Sequence, residues 1–284
     1  MIPITIIGGY LGAGKTTLIN RILACALEPI AVLVNDFGEL NVDVELISNQ
    51  DDMTLELTNG CVCCQITDDL GEALESIKSR SPKRVILEAS GVALPAKIAN
   101  YGRNWPGFSP AGVFTLVDSS NIDRLLQDKY VKHLVKAQIQ EADQVLLTRL
   151  YGRPTPSELT VLSDNSFDLD CQSALPDFLT GCTTATAKPY SASDKKAEFT
   201  ATTFTADTPI SKKLISEFIN DHPHIQRAKG WLIDHEGDCW LLQMTLANCA
   251  FTKSSPRGKT EIQFIYTGTD ALDMTTLRQY RLQS

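Results

Sequence analysis

Gly9-Tyr10-Leu11-Gly12-Ala13-Gly14-Lys15-Thr16 follows an apolar, β-branched run, Ile4-Thr5-Ile6-Ile7, and precedes Leu18, Ile19, Ile22 and Leu23, which are spaced for one face of a helix. A strand, a glycine-rich octet ending Gly-Lys-Thr and then a helix is the phosphate-binding loop in the context that confirms it. Glycines let successive backbone N–H groups curl around a polyphosphate, and the following helix turns its positive end to the same place. Gly9, Gly12, Ala13, Gly14, Lys15, Thr16 and Thr17 are therefore the candidate nucleotide-binding residues. Lys15 would reach the β- and γ-phosphates, and Thr16 would hold Mg²⁺ through its hydroxyl. The bland alternative, a glycine-rich turn that tolerates a lysine, does not account for strand, loop and helix falling in register.

Outward from this loop, apolar runs at Ile30 to Asn35, Arg84 to Glu88, Gly112 to Val117 and Gln144 to Leu147 alternate with helical patterns at Leu70 to Lys78, Leu94 to Asn100 and Asn121 to Gln140, the last broken in its middle. Such alternation predicts an α/β fold, a P-loop NTPase with a mostly parallel sheet flanked by helices. Ligands of these sheets gather at the carboxyl ends of the strands. Asn35, Glu88 and Asp118 are thus expected to face the nucleotide. Beyond Tyr151 the chain turns rich in Ser, Thr, Asp and Pro, and Ser191 to Glu198 reads as a linker. Strands at Phe199 to Thr205, Ala228 to Asp234, Cys239 to Thr245 and Glu261 to Tyr266, with helices at Ser211 to Asn220 and Met274 to Leu282, predict a small α+β domain. The expected division is 1–190 for nucleotide binding and 199–284 for the second domain.

Val85-Ile86-Leu87 runs into Glu88-Ala89-Ser90-Gly91. An acid ending a buried strand beside a phosphate loop can hold the Mg²⁺ hydration shell, and a glycine just beyond it can offer its N–H to the γ-phosphate. Lys15, Glu88 and Gly91 are accordingly the catalytic candidates.

Hydrophobic residues at 43% and charged residues at 21% are ordinary for a folded domain. No apolar stretch approaches a bilayer span, and Met1-Ile2-Pro3 carries no basic leader, so a cytoplasmic protein is expected. A net charge of −8 argues against broad nucleic-acid binding and for a phosphate pocket that is only locally basic. Eight cysteines in a reducing compartment do not imply a disulfide framework. Three of them stand together in Asn59-Gly60-Cys61-Val62-Cys63-Cys64. Thiolates suit Zn²⁺ and similar ions, and three of them leave a fourth position for exchange. A buried trio or a redox switch are the alternatives, although adjacent Cys63 and Cys64 cannot easily bridge one another. Cys25, Cys171, Cys182, Cys239 and Cys249 lack ligand spacing and read as packing residues, and His222 and His224, flanking Pro223, read as a helix-ending turn.

In four segments, taken in order, the chain resembles the CobW-type P-loop GTPases, relatives of the nickel chaperones that serve hydrogenase and urease. These are the phosphate loop, Val-Asn-Asp-Phe-Gly-Glu-Leu-Asn-Val-Asp (Val34 to Asp43), Glu-Leu-Thr-Asn-Gly-Cys-Val-Cys-Cys (Glu56 to Cys64) and Glu-Ala-Ser-Gly-Val-Ala-Leu-Pro (Glu88 to Pro95). The resemblance implies a GTPase metallochaperone or metal insertase that uses GTP, Mg²⁺ and Zn²⁺ or Co²⁺. It assigns Cys61, Cys63 and Cys64 to the transition metal, and Thr16 and Glu88 to Mg²⁺. Asp36 to Asp43 would be a mobile switch whose acids Asp36, Glu39 and Asp43 touch Mg²⁺ or the cargo. The implied partner is a client metalloenzyme or acceptor protein, with no nucleic acid and no membrane; a homodimer is left open.

One family element is missing. Where the fifth strand should end in the guanine-reading Asn-Lys-x-Asp, the chain has Thr148-Arg149-Leu150-Tyr151. Arg149 could stack on a purine, but Tyr151 cannot replace a bidentate carboxylate. Base preference is therefore open. A metal-sensing scaffold with relaxed or lost nucleotide specificity, or a P-loop small-molecule kinase, are the competing readings, although nothing in the sequence marks an acceptor pocket for the kinase.

Overall fold

A computed structural model describes residues 1–35, 54–56, 66–103, 105–170, 175, 179, 199–245, 248–268 and 271–279. The chain forms two units, each with its own sheet, the second running Glu198–Ser284 for the most part.

In the first unit seven strands pair in parallel: β1 (Ile2–Gly9), β2 (Ile30–Val34), β3 (Thr54–Glu56), β4 (Arg84–Glu88), β5 (Phe108–Asp118), β6 (Gln144–Thr148) and β7 (Ser166–Asp168). Their order is β3-β2-β4-β1-β5-β6-β7, so β1 is the central strand. Parallel sheets are covered on both faces, which is why β4 is buried along its whole length. The period of two sorts these apolar residues between two cores. Ile6, Leu33, Val85, Leu87 and Val113 belong to one, and Ile7, Val32, Val34, Ile86 and Leu116 to the other.

Helix α1 (Lys15–Cys25) closes the second of these cores with Leu18, Ile19 and Ile22. The first is closed by α2 (Ile66–Ser79) through Leu70, Leu74 and Ile77, at helical spacing, and by Ile98 and Ala99 of α3 (Pro95–Arg103). Each of these leucines and isoleucines contributes about 1.5–3 kcal/mol on burial. Pro95 opens α3, where its missing N–H costs nothing. Its ring lies on Gly8, where a Cβ would meet Pro95 Cγ at 2.1 Å.

The break foreseen in Asn121 to Gln140 is real. α4 (Ile122–Gln127) and α5 (Lys132–Gln140) are separated by Asp128, whose Oδ1 accepts from the N–H of Tyr130 and Val131 at 2.7 and 3.1 Å. The Ser/Thr/Pro-rich stretch after Tyr151 is more structured than its composition predicts, containing α6 (Ser157–Leu162) and β7.

The second unit is an antiparallel sheet in the order β11-β10-β9-β12-β8. Its strands are β8 (Phe199–Ala206), β9 (Ile225–Ile233), β10 (Cys239–Thr245), β11 (Asn248–Lys253) and β12 (Thr260–Thr267). Leu214, Ile215, Phe218 and Ile219 of α7 (Lys212–Asp221) and Leu277 of α8 (Thr275–Gln279) share a core with Phe204, Leu232, Leu242 and Phe264. Ser211 caps α7, its Oγ accepting from Leu214 N–H at 3.2 Å. His222 does end α7, its Nδ1 lying 2.7 Å from the Phe218 carbonyl oxygen. Burial, with the nearby His222, lowers the pKa of His224.

Two cysteines differ from expectation. Cys25 and Cys249 are exposed, one at the end of α1 and the other on the edge strand β11, and among the described cysteines only Cys239 is buried. Cys171 and Cys182, the linker read at Ser191 to Glu198 and the end of the helix read to Leu282 lie outside the described residues.

Phe264→Ala should destabilise the second unit by about 3–5 kcal/mol, and Ser211→Ala by about 0.5–2 kcal/mol. Urea unfolding followed by the fluorescence of Trp231 and Trp240 measures both, and similar losses for the two variants would contradict this packing.

Candidate phosphate-binding site

Five neighbouring strands end on one edge of the first sheet, at Val34, Glu88, Gly9, Asp118 and Thr148. At Gly9 the backbone turns to φ +130°, and a Cβ there would lie 2.3 Å from the Leu116 carbonyl oxygen of β5. Only glycine fits. Gly14, at φ +101°, is the N-cap of α1, and a Cβ there would meet nothing within 4 Å. α1 begins with neither a side-chain cap nor an acidic residue in its first turn. Its leading N–H groups and the positive end of its dipole therefore suit an anion.

Lys15 is 6% exposed. Its Nζ donates to the carbonyl oxygens of Gly9 at 3.0 Å and Tyr10 at 3.5 Å, folding the ammonium over its own loop. Burial, then the charge of Asp128, pushes the Tyr10 hydroxyl far up, so this loop residue is a neutral packed ring. Thr17, next along α1, is exposed.

The Thr16 hydroxyl donates to the Glu88 carboxylate, with Oγ1 3.1 and 3.3 Å from its two oxygens. Glu88 is 5% exposed and is brought there by β4, which pairs with β1 so that Glu88 stands opposite Ile7. A hydroxyl and a buried carboxylate are the hard oxygen donors that Mg²⁺ prefers. Beside them, Asn35 donates its backbone N–H to the Glu88 carbonyl at 3.0 Å. Its buried Nδ2 finds no acceptor among the described residues. Gly91 packs on the phosphate loop, where a Cβ would stand 2.8 Å from Leu11 N. Glycine backbone, ammonium, hydroxyl and carboxylate together fit a polyphosphate with Mg²⁺.

The residues after β6 differ from expectation. Thr148 Oγ1 donates to the Ala13 carbonyl at 3.1 Å, and Arg149 Nη1 to the Gly12 carbonyl at 3.1 Å and to Asp118 Oδ2 at 2.5 Å. Arg149 is thus committed to the back of the phosphate loop rather than standing free to stack on a purine. Asp118 also accepts from Ser120 N–H and hydroxyl and from the Asn121 amide, at 3.0, 2.6 and 2.8 Å. That carboxylate, expected to look toward the nucleotide, organises the loop instead. Arg149 and Tyr151 both hold positive φ, 56° and 51°, and Leu150 N–H donates to Asp170 at 2.8 Å. The role of Thr148 was missed; its one signal was its place at the head of the degenerate base motif. Cys61, Cys63, Cys64, Asp36, Glu39 and Asp43 lie outside the described residues.

Parallel sheet, glycine loop and Thr16–Glu88 contact define a P-loop nucleotide-binding protein. Residues 3–163, more than half of the chain, match the family model described as the CobW/HypB/UreG nucleotide-binding domain, and the chain belongs to that family. A zinc chaperone CobW of Sinorhizobium sp is 33% identical over 181 residues, covering 52% of this chain and 51% of its own length. The zinc chaperone YjiA of Escherichia coli K12 is 33% identical over 159 residues, covering 52% and 49%. A zinc-regulated GTPase metalloprotein activator 1 of Saccharomyces cerevisiae is 36% identical over 140 residues, covering 45% and 33%. The chain spans about half the length of these bacterial relatives and a third of the yeast one. No described helix is long and apolar enough to cross a membrane.

Gly9→Ala, which must displace the backbone of β5, should lose nucleotide binding at least tenfold more severely than Gly14→Ala, which meets only left-handed strain of about 1–2 kcal/mol. Fluorescent-nucleotide titration ranks the two, and equal losses would count against this account of the loop.

Proposed function

We propose that the chain is a GTP-dependent metallochaperone that binds Zn²⁺ or Co²⁺ through Cys61, Cys63 and Cys64. It would couple transfer of the metal to a client metalloprotein to GTP binding and hydrolysis. The Thr16–Glu88 contact at the head of the phosphate loop carries the reading, in a chain whose relatives include zinc chaperones. Residues 1–190 would handle the nucleotide, and 199–284 would form the accessory domain.

The α1 N-terminus and the glycine backbone would bind the phosphates, and Lys15 would leave its loop carbonyls to neutralise the γ-phosphate. Thr16 and Glu88 would hold Mg²⁺, which supplies charge neutralisation at the phosphates when bound. Gly91, held against Leu11, would offer its N–H to the γ-phosphate.

Coupling to the metal is favoured by the strand register. Glu56 pairs with Val34, and Val34 with Glu88, so these three strand ends lie in one row. Only four residues stand between Glu56 and Cys61, five steps of chain with a reach of at most about 18 Å. Metal ligands tethered so near Glu88 could respond to loss of the γ-phosphate without a long relay. Asp36, Glu39 and Asp43 are the switch acids on this reading, contacting Mg²⁺ or the cargo.

A second reading, a metal-responsive scaffold with relaxed base specificity, is favoured by the engagement of Arg149 with Asp118 and Gly12. Anaerobic Zn²⁺ and Co²⁺ titrations of the reduced protein, run with no nucleotide, GDP, GTP·Mg²⁺ and ATP·Mg²⁺, separate the two. GTP·Mg²⁺ should change metal affinity by about 5–150-fold. Cys63→Ala should abolish tight uptake, whereas Lys15→Ala should retain uptake but lose the nucleotide effect. Equal metal affinity in all nucleotide states would refute the coupling, and at least tenfold tighter ATP than GTP binding would refute the base assignment.

A further inference from the structure

Gln138 lies on α5, 1% exposed, and reaches across to the loop that follows β4. Its Nε2 donates to two carbonyl oxygens of that loop, Gly91 O at 3.1 Å and Ala93 O at 2.7 Å. Two carbonyl acceptors around one amide atom identify that atom as the nitrogen. The segment it grips is a tight turn closed by Ala93 N–H to the Ser90 carbonyl at 3.0 Å. On its other side, Gly91 rests on the phosphate loop at Leu11.

The Oε1 atom of the same amide is buried and has no hydrogen-bond partner among the described residues. An apolar residue of similar length would fill the space on α5 without burying an unmatched acceptor. Groups left unsatisfied in this way concentrate where position matters more than stability. Anchoring of the helix itself falls to a different contact, Thr115 Oγ1 donating to the backbone carbonyl of Gln138 at 2.9 Å.

We propose that Gln138 is a positioning residue for γ-phosphate recognition: by holding the carbonyls of Gly91 and Ala93 it fixes the turn that follows the Gly91 N–H, and so the direction in which that N–H meets the terminal phosphate. The inference rests on the nucleoside-triphosphatase reading above. A nucleoside diphosphate makes no use of the Gly91 N–H, so the clamp distinguishes triphosphate from diphosphate while leaving affinity for the shared phosphates alone. Gln138 touches no substrate atom and acts through the loop.

The test uses the full chain with Mg²⁺. Gln138→Met keeps length and removes both donors; Gln138→Glu keeps shape but turns acceptors toward the two carbonyls; Thr115→Val removes the neighbouring structural bond. Affinities for GDP and for a non-hydrolysable GTP analogue are measured with kcat, KM and Tm. Both Gln138 variants should bind GDP within about twofold of wild type, while analogue affinity and kcat fall about tenfold. Thr115→Val should lower Tm with the analogue-to-GDP ratio unchanged. The clamp is overturned if the Gln138 variants lose both nucleotides in equal proportion, or change neither, while the wild type still separates analogue from GDP. A wild type that binds neither nucleotide, or does not separate them, overturns the parent reading and the clamp with it. Should Gln138→Glu fail to fold, Gln138→Met alone decides.

Discussion

At Gly9 the chain leaves the central strand within contact distance of the Leu116 carbonyl, and the rest of the site takes its position from that approach. β1 must end there with a positive φ, so the loop rises over the edge of the sheet and α1 begins where strand carbonyls and helix amides converge. The neighbours of β1 follow from the same constraint. β5 supplies the carbonyl that forbids a side chain, and β4, on the other flank, ends in the carboxylate that meets Thr16. A change of register between β1 and β4 would move Glu88 away from Thr16 and dismantle the donor pair.

The loop is supported from behind as well as from the sheet. Carbonyls of Gly12 and Ala13 are taken up by Arg149 and Thr148, and Arg149 is in turn held by Asp118. A net charge of −8 over the chain is thus compatible with local positive character, because Lys15 and Arg149 both bind backbone oxygens of the same turn. The arrangement also gives a reason for the altered base motif. Thr148 and Arg149 are used to brace the phosphate loop, a task that needs one hydroxyl and one guanidinium and no carboxylate at Tyr151.

How much of this could be read in advance depended on how local each signal was. The phosphate loop, Glu88 and the buried strands of the first unit carry their information in a few consecutive residues, and their positions in the sheet agree with the reading. Three strands were not foreseen. β3 and β7 have three residues each, and β11 is a half-exposed edge strand without clear alternation; their pairing is set by neighbours distant in sequence. The engagement of Arg149 was also invisible, because its two partners lie 31 and 137 residues away along the chain. Exposure of Cys25 and Cys249 shows the same limit, since a lone cysteine has no periodicity that tells core from surface.

The parallel sheet has a consequence for biosynthesis. Ile4 pairs with Val85 and Ile6 with Val113, so the central strand is made first and both of its partners follow only about 75–110 residues later. At about 5–20 residues per second, β1 waits on the order of 5–20 s outside the ribosome with both edges unsatisfied. Throughout that interval an Ile-rich segment is exposed to every other nascent chain nearby. Yield in the cell is therefore exposed to holdase capacity and translation speed as well as to the stability of the finished molecule.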